Sequence, residues 1–287
     1  MQINQFLRKI LLIATCITLI LNMSGCNIKF IVRNGNDLNL DGYELTFYDE
    51  FTENSLDTSI WEYKEVGQIR AHGNSLDEII YKPCFNHPDQ VQVNNGLLTI
   101  KGEYTTKEYG EGWHVASIEL KKWYTYGYYE ISCIPNNSES FWSAFWLLAQ
   151  NPYSHEISQG GIYGSEIDVF ETYKNHDLKT KYFITSTIHC NGFDEVVNKV
   201  DSERVVKAYV KNLYTEFTTF GMMWTEDEYI FYVNGVETGR TSFAKGTSRV
   251  PEKVIISLCS PENITLDKSK TTEFVVDYVK IYQKTNI

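Results

Sequence analysis

The sequence is poor in proline and in basic residues, and each shortage limits what the protein can be. Only 6 of the 287 residues are proline, whereas 14% are aromatic, a combination that favours a β-rich fold with aromatic surfaces. Lys and Arg number 26 against 37 Asp and Glu, which gives a net charge of −11. A phosphate-binding surface needs an excess of Lys and Arg, so this charge argues against nucleic acid as a partner. It also argues against an anionic polysaccharide as the main substrate.

Long apolar stretches are missing, with one exception near the N-terminus. Arg8-Lys9 is followed by an apolar run over residues 10–21, which is too short to span a bilayer comfortably and has the layout of a signal peptide. Ser24-Gly25-Cys26 resembles the bacterial lipobox, in which the cysteine is acylated and becomes the new N-terminus. The alternative is a signal peptide cut elsewhere. We predict a lipoprotein-type signal peptide over residues 1–25, lipidation at Cys26, and a location outside the cytoplasm, at the bacterial cell surface or anchored to the membrane.

Cysteine pairs at metal-binding spacing are absent. The cysteines that follow Cys26 are widely separated and include no C-x-x-C pair, so a zinc site is not expected. They are Cys84, Cys133, Cys190 and Cys259. Outside the cytoplasm a disulfide can form between two of them, whereas buried thiols that act as small apolar residues fit the pattern equally well.

The rest of the sequence is consistent with one domain behind a short tether. Residues 27–42 are polar and have no strong period, which predicts a tether over residues 26–43 and one domain over residues 44–287. Short alternating segments recur through that domain, and Val233-Asn234-Gly235-Val236 is typical of a two-residue hairpin. Such segments without regular strand–helix alternation favour an all-β sandwich or barrel. Residues 203–212 fit a short helix or a loop equally well.

Three acidic residues lie on one candidate strand over residues 164–172. Glu166 and Asp168 share a face of a regular strand, because side chains alternate with period two, whereas Glu171 has the opposite parity. An extra residue at Val169-Phe170, that is, a β-bulge, would return Glu171 to the acidic face. We infer this bulge on the assumption that the three acids act together.

The spacing of these acids fits a glycosidase, but it leaves other interpretations open. On a bent sheet the carboxyl groups of Glu166 and Glu171 could approach to about 5–6 Å, which is typical of retaining glycoside hydrolysis. Three carboxylates so close cannot all be ionised cheaply, so we expect at least one pKa to be raised. The alternatives are a strand face that is merely acidic and exposed, and a calcium site, because rows of carboxylates also bind hard cations.

Aromatic residues dominate the segment over residues 141–148. Alternation gives this segment two bulky faces, which indicates a central strand with the core on one side and a groove on the other. One face carries Trp142, Ala144 and Trp146. Indole rings stack on the apolar faces of sugars, so a groove lined by these tryptophans fits a carbohydrate. The alternative is that both tryptophans are core residues.

Six motifs occur in a fixed order along nearly all of the domain. They are Phe47-Tyr-Asp-Glu-Phe51 with Trp61, Tyr126-Gly127-Tyr128-Tyr129-Glu130 with Phe141-Trp-Ser-Ala-Phe-Trp146, Glu166-Ile-Asp-Val-Phe-Glu171, Thr187-Ile188-His189, Phe220-Gly-Met-Met-Trp224 with the hairpin through Gly235, and Val276-Asp277-Tyr278-Val279-Lys280-Ile281-Tyr282. Together they resemble glycoside hydrolase family 16 in its laminarinase-like form, whose signature E-x-D-x-x-E contains a bulge.

The resemblance implies a fold and a reaction. The implied fold is a concanavalin-like β-jelly-roll sandwich with a concave cleft. The implied reaction is retaining hydrolysis of internal β-linkages in a polysaccharide, and it needs no cofactor. The resemblance assigns Glu166 as the nucleophile, Asp168 as its modulating partner and Glu171 as the general acid/base.

The resemblance also carries expectations about binding residues. Positions near the family's substrate cleft are matched by Trp142, Trp146, Tyr163 and His189. Some members hold a structural calcium ion on the convex side, and Asp277 and the carbonyl of Gly96 match positions that could serve it.

Two segments depart from the usual laminarinase form and leave the substrate open. They are the loop over residues 151–164 and Ser117-Ile118-Glu119-Leu120. The leading hypothesis is a monomeric endo-β-1,3- or mixed-linkage β-glucanase. The alternatives are an endo-β-galactosidase acting on galactan-type glycans, a transglycosylase, and a catalytically silent carbohydrate-binding protein on the same scaffold. The presence of both Glu166 and Glu171 argues against a pure binder, which needs neither.

The predicted lipid anchor can be tested by one substitution. Cys26→Ala removes the only thiol that the lipobox offers for acylation, so we expect this variant to leave the membrane fraction. Fractionation of cells that express either form, followed by immunoblotting, measures the change. Unchanged membrane association of the variant would contradict the prediction.

Overall fold

The computed structural model describes nine stretches of the chain, over residues 28–32, 34–67, 84–138, 141–150, 161–172, 182–190, 201–242, 246–259 and 267–285. The regular secondary structure of these stretches is almost entirely β-strand. The strands are β1 (Ile28–Ile31), β2 (Tyr43–Asp49), β3 (Trp61–Tyr63), β4 (Cys84–Asn86), β5 (Val91–Asn94), β6 (Leu97–Lys107), β7 (Gly110–Leu120), β8 (Gly127–Ile134), β9 (Trp142–Ala149), β10 (Glu166–Thr172), β11 (Phe183–Cys190), β12 (Asp201–Val210), β13 (Thr218–Trp224), β14 (Tyr229–Val233), β15 (Val236–Thr241), β16 (Glu252–Cys259) and β17 (Thr271–Lys284). A short 3-10 turn covers Pro88–Gln90.

The strands form two layers, which we call the site sheet and the back sheet. The site sheet has the order β3-β7-β16-β9-β10-β11-β12-β1, and every pairing in it is antiparallel except that of β1 with β12. The back sheet has the order β5-β6-β17-β8-β13-β14-β15, and β2 also pairs with β17. Strand β7 joins the layers, because its first half pairs with β6 and its second half with β16. Two packed sheets with one core between them make a β-sandwich.

The core lies between the two sheets and is rich in aromatic rings. Phe170 of the site sheet stacks on Phe220 of the back sheet, with ring centroids 4.1 Å apart, and meets Phe274 edge to face. All three rings are fully buried. Because aromatic side chains bury large apolar areas, these contacts hold the strand that carries the acidic residues firmly against the back sheet.

The hairpin predicted from Asn234-Gly235 is present. Val233 pairs with Val236, and the two residues between them have φ values of 49° and 74°. Both turn residues therefore lie in the left-handed region that a type I′ turn requires.

The prediction of a helix or loop over residues 203–212 was wrong. Asp201–Val210 forms strand β12, which pairs with β11 along its whole length. Its buried residues are Val206, Ala208 and Val210. They alternate with period two, and this pattern buries one face of a strand, whereas a helix would scatter these side chains around its axis.

Part of the predicted tether is packed on the domain. Ile28–Ile31 forms β1 at the edge of the site sheet, with Ile31 buried, and Leu38 and Leu40 contact a small apolar cluster on the back sheet. The predicted signal peptide and Cys26 lie outside the described residues. Within the described stretches, no helix has the length and apolar character needed to cross a bilayer.

The four cysteines of the domain are buried thiols. Cys84, Cys133, Cys190 and Cys259 each lie in the interior, at most 3% exposed. Of the two interpretations left open by the sequence, the structure supports small apolar residues rather than a disulfide.

Candidate active site

A β-bulge in β10 brings the three acidic residues onto one face. Against β9, Glu166 pairs with Leu148, Asp168 with Trp146 and Glu171 with Ala144, and the register shifts between Asp168 and Phe170. The partners on β9 are spaced by two residues, so they share a face, and directly opposed residues of neighbouring strands point the same way. The predicted bulge is confirmed: Glu166, Asp168 and Glu171 lie in line along one face.

The local sequence favours this bulge because it buries the apolar side chains in the core and keeps the acidic side chains on the other face. Ile167 and Phe170 pair with the buried Leu147 and Phe145 on the core face. Strict alternation would instead turn the carboxylate of Glu171 into that core and Phe170 out of it. Burying an unpaired carboxylate is costly and exposing a phenyl ring forfeits apolar burial, so one extra residue is the better solution.

Ser186 of the neighbouring strand completes the bulge. A bulge leaves backbone groups without a ladder partner. The Ser186 hydroxyl donates a hydrogen bond of 2.7 Å to the carbonyl of Val169, at the point where the register of β10 with β11 also shifts. Both residues are buried, so this bond satisfies a carbonyl that water cannot reach.

His189 connects the acidic row to strand β12. It pairs with Glu166 across the sheet, and its Nε2 lies 3.2 Å from Oδ2 of Asp168. Its other ring nitrogen, Nδ1, lies 2.6 Å from the hydroxyl of Ser202. The ring is therefore held at both ends, which fixes its orientation beside Asp168 and Glu166.

The three acidic residues of the row differ in how far they are buried. Asp168 is 4% exposed, and burial, together with the charge of Glu166, raises the pKa of its carboxyl well above the ordinary value. Glu166 and Glu171 are only half-buried. The rise expected from the sequence thus falls on Asp168, the middle acid, which keeps its proton to higher pH than an ordinary aspartate.

The remaining cleft residues named from the sequence differ in exposure. Trp146 is half-buried on the acidic face, and its indole nitrogen donates to the Ser257 hydroxyl at 3.1 Å. Trp142 shares that face by register but is only 5% exposed. Tyr163 is 43% exposed and lies three residues before Glu166. Of these three side chains, Trp142 is the one packed most like a core residue.

An ion-paired cluster lies on the same sheet, two to four strands from the acidic row. Nζ of Lys253 contacts carboxylate oxygens of Glu62 and Glu119, and Nζ of Lys64 lies 3.1 Å from Glu119. Lys253 also lies over the ring of Trp123, 5.3 Å from its centroid. At about 4.8 Å per strand, the cluster extends from roughly 10 to 19 Å from Glu166 and Asp168. It includes Glu119, from the segment that departs from the laminarinase form.

Two places have donor groups that suit a cation. Ligand atoms of Glu166, Asp168 and His189 lie within 4.8 Å of one another. On the back sheet, Val276 pairs with Leu98, which brings Asp277 beside the turn that contains Gly96. The carboxylate of Asp277 accepts a hydrogen bond of 3.1 Å from Ser132, and the Glu50 carbonyl faces Gly96. Oxygen donors of this kind suit calcium.

Several residues of the site could not be found from the sequence. Ser186 and Ser202 carry no motif, and their roles depend on which strand lies next to which. Glu119 stood out only as a departure from a pattern, and its partner Lys253 is distant in the sequence. The two serines stabilise the acidic row through hydrogen bonds. The ion pair between Lys253 and Glu119 lies elsewhere on the same face of the sheet.

Residues 81–280 of the chain match the family model of glycosyl hydrolases family 16. Among curated proteins, the Endo-1,3-1,4-beta-glycanase ExsH of Rhizobium meliloti (strain 1021) is 25% identical over 263 residues, which cover 83% of this chain and 51% of that protein. The chain spans about half the length of the first curated relatives it matches.

Solved structures share the fold. SCLam, a non-specific endo-beta-1,3(4)-glucanase, superposes with a TM-score of 0.67 at 20% identity, covering 89% of this chain and 97% of that chain. Porphyranase B (PorB) from Zobellia galactanivorans superposes with a TM-score of 0.65 at 20% identity, covering 88% and 97%. The jelly-roll sandwich predicted from the sequence is confirmed.

Removal of the Ser186 hydroxyl tests the support of the bulge. In Ser186→Ala the buried carbonyl of Val169 loses its donor, so we expect the free energy of unfolding to fall by about 1–3 kcal/mol. Urea denaturation followed by tryptophan fluorescence measures the loss.

The matched control for this test is Ser117→Ala. Ser117 is also a buried serine of the site sheet, but its hydroxyl makes no hydrogen bond within the described part of the chain. We expect a smaller loss there. Equal losses in the two variants would contradict a special role for Ser186.

Proposed function

The chain belongs to glycosyl hydrolases family 16, and on that premise we propose that it is a retaining, endo-acting glycoside hydrolase that cleaves internal β-linkages of a polysaccharide. The observation that carries the proposal is the bulged strand β10, which aligns Glu166, Asp168 and Glu171 on one face. A carbohydrate-binding protein would need neither the bulge nor two glutamates that flank a buried acid.

The proposed mechanism has two displacement steps. Glu166 attacks the anomeric carbon while Glu171 protonates the departing glycosidic oxygen, and a covalent glycosyl-enzyme forms. Glu171 then removes a proton from the incoming water, which attacks the same carbon and releases Glu166. Each step inverts the centre, so the β configuration is retained. Capture of the intermediate by a sugar instead of water would make the same site a transglycosylase.

Asp168 and His189 support the nucleophile in this mechanism. The raised pKa of Asp168 lets it remain protonated while Glu166 is charged. A second carboxylate beside Glu166 would repel the charge needed for attack. The contacts of His189 with Asp168 and Ser202 hold the middle acid in place.

We propose a β-1,3- or mixed-linkage β-glucan as the substrate. The support is the curated relative ExsH, which is named an endo-1,3-1,4-beta-glycanase. Galactan-type glycans are the second candidate. They are favoured by the ion-paired Glu119 in a segment that departs from the laminarinase form. A porphyranase, whose fold is nearly as similar to this chain as that of the glucanase SCLam, also favours them.

The location and the ion content of the protein also belong to this proposal. We propose that Cys26 carries a lipid anchor, so that a monomeric enzyme meets its polysaccharide outside the cytoplasm. We further propose that a structural calcium ion binds near Asp277 and the Gly96 carbonyl. Their oxygen donors, together with that of Glu50, suit it. Such an ion would stabilise the back sheet and take no part in catalysis.

Chemical rescue tests the roles of the two glutamates. With an activated aryl glycoside and azide, we expect Glu171→Ala to yield the β-glycosyl azide, because azide attacks the intermediate without help from a base. We expect Glu166→Ala to yield the α-glycosyl azide, because azide then enters directly from the opposite face. Proton NMR of the products distinguishes the two anomers.

The control for the rescue experiment is Glu273→Ala, which removes an exposed glutamate of the back sheet. It should behave as the wild type. If the wild-type product appears first as the α anomer, the enzyme inverts and the proposed mechanism is wrong. A panel of laminarin, lichenan, agarose, keratan-type galactans and xyloglucan, with sizing of products, identifies the substrate.

A second prediction separates the two tryptophans. Trp146→Ala should weaken oligosaccharide binding by about 1–3 kcal/mol, because its half-exposed ring can stack on a sugar. Trp142→Ala should mainly cost stability, about 3–5 kcal/mol, because its ring is packed. Calorimetric titration in a Glu166→Gln background and urea denaturation measure the two effects. A stability loss without an affinity loss at Trp146 would show that it is a core residue.

A further inference from the structure

We propose that Glu252 is a positioning residue that, in its protonated form, fixes the backbone immediately before Glu166. This inference rests on the proposed function, because it gives Glu252 a part in holding the nucleophile Glu166 in position. Glu252 begins β16 and lies outside the acidic row, and no sequence motif points to it.

Glu252 holds Ser165 through two hydrogen bonds. The backbone N–H and the hydroxyl of Ser165 both donate to Oε1 of Glu252, at 3.1 and 3.0 Å. The carbonyl of Ser165 accepts from the N–H of Ala149 at 3.0 Å. Ser165 is thus fixed on both sides, and the next residue along the chain is Glu166. Any shift of the Glu252 carboxyl would be passed directly to the start of β10.

The carboxyl of Glu252 is completely buried and has no counter-charge. Its residue is 0% exposed, and no salt bridge reaches it within the described stretches of the chain. The adjacent Lys253 belongs to the opposite face, where its ammonium pairs with Glu119. A buried charge without a partner is strongly unfavourable, so the neutral acid is the stable form.

The proton of the neutral Glu252 carboxyl belongs on Oε2. Oε1 already accepts two hydrogen bonds, whereas neither Oε2 nor the nearby buried hydroxyl of Ser248 makes one to any residue that the structure describes. Protonation of Oε2 removes a charge that nothing there would neutralise and adds a donor to the cluster.

The titratable groups that face Glu252 offer it no positive charge, whereas the hydrogen bonds from Ser165 favour its ionised form. These groups are Tyr129 from β8, Tyr124, Tyr229 from β14 and Glu166 from β10. None of them is basic. Burial, assisted by the charge of Glu166, raises the pKa of Glu252 to about 8. Ionisation would place a second negative charge behind the nucleophile, and it would change the two hydrogen bonds from Ser165, because a carboxylate is a stronger acceptor than a neutral acid.

The raised pKa of Glu252 makes the stability of the protein fall as pH rises. Between an unfolded value of 4.5 and a folded value of about 8, the native protein holds a proton that the unfolded chain releases. Stability from this group is fully present below the lower value and is lost as pH rises toward the upper one. Glu252→Gln cannot ionise, and its amide keeps an oxygen acceptor for Ser165.

The first measurement needs no substrate. Between pH 5 and pH 8 we expect the unfolding equilibrium constant of the wild type to rise about 400-fold relative to that of Glu252→Gln. In ¹⁵N NMR spectra, the Ser165 amide should shift with a midpoint near pH 8 in the wild type but not in Glu252→Gln. Glu273→Gln, an exposed glutamate of the back sheet, serves as the control and should titrate like the wild type. An identical Ser165 titration in Glu252→Gln would overturn the proposal.

The second measurement uses a polysaccharide that the wild type cleaves. We expect kcat of the wild type to fall above about pH 8, and kcat of Glu252→Gln to persist to higher pH. Glu252→Ala, which loses both bonds to Ser165, should lower kcat about tenfold at every pH with KM nearly unchanged. Unchanged kcat in Glu252→Ala would overturn the proposal. If no polysaccharide is cleaved by the wild type, the proposed function fails, and the substrate-free measurement still decides the role of Glu252.

Discussion

One extra residue in strand β10 is the constraint on which the site depends. Without the shift between Asp168 and Phe170, Glu171 would point into the sandwich and Phe170 out of it. With the shift, β10 packs Phe170 against Phe220 and Phe274 in the core and places three carboxyl groups on the opposite face. Apolar packing against Phe220 thereby stabilises the same geometry that the chemistry requires.

The surroundings of the bulge keep that geometry rigid. Ser186 satisfies the Val169 carbonyl, and His189 is fixed between Asp168 and Ser202. These bonds come from neighbouring strands of the site sheet, so the acidic row is held from the side as well as from behind. A site built on paired strands in this way is better pre-organised than one carried on loops.

Burial divides the acidic groups near the site into two kinds. Glu166 and Glu171 keep contact with solvent, whereas Asp168 and Glu252 are buried and have raised pKa values. Desolvation is the main cause for both buried acids, and the charge of Glu166 adds to it. Two neutral acids around one ionised nucleophile allow close packing without the repulsion that three or four charges would produce.

The sequence by itself determined the features that depend on neighbours along the chain. Alternation predicted the strands, Asn234-Gly235 predicted a type I′ turn, and the spacing of Glu166, Asp168 and Glu171 predicted the bulge. Residues 203–212 show the limit of that reasoning, because the period of Val206, Ala208 and Val210 gained its meaning only from pairing with β11.

Only the tertiary structure decided the features that depend on contacts between distant segments. The sequence put Trp142 and Trp146 on one face, but their different burial follows from what packs around them. Ser186 and Ser202 gained their roles from strands that pair with β10 or β11, and Glu252 gained its role from the contact of β16 with Ser165, just before β10. Periodicity fixes the direction of a side chain, whereas burial, pKa and hydrogen-bond partners depend on the strands and loops that surround it.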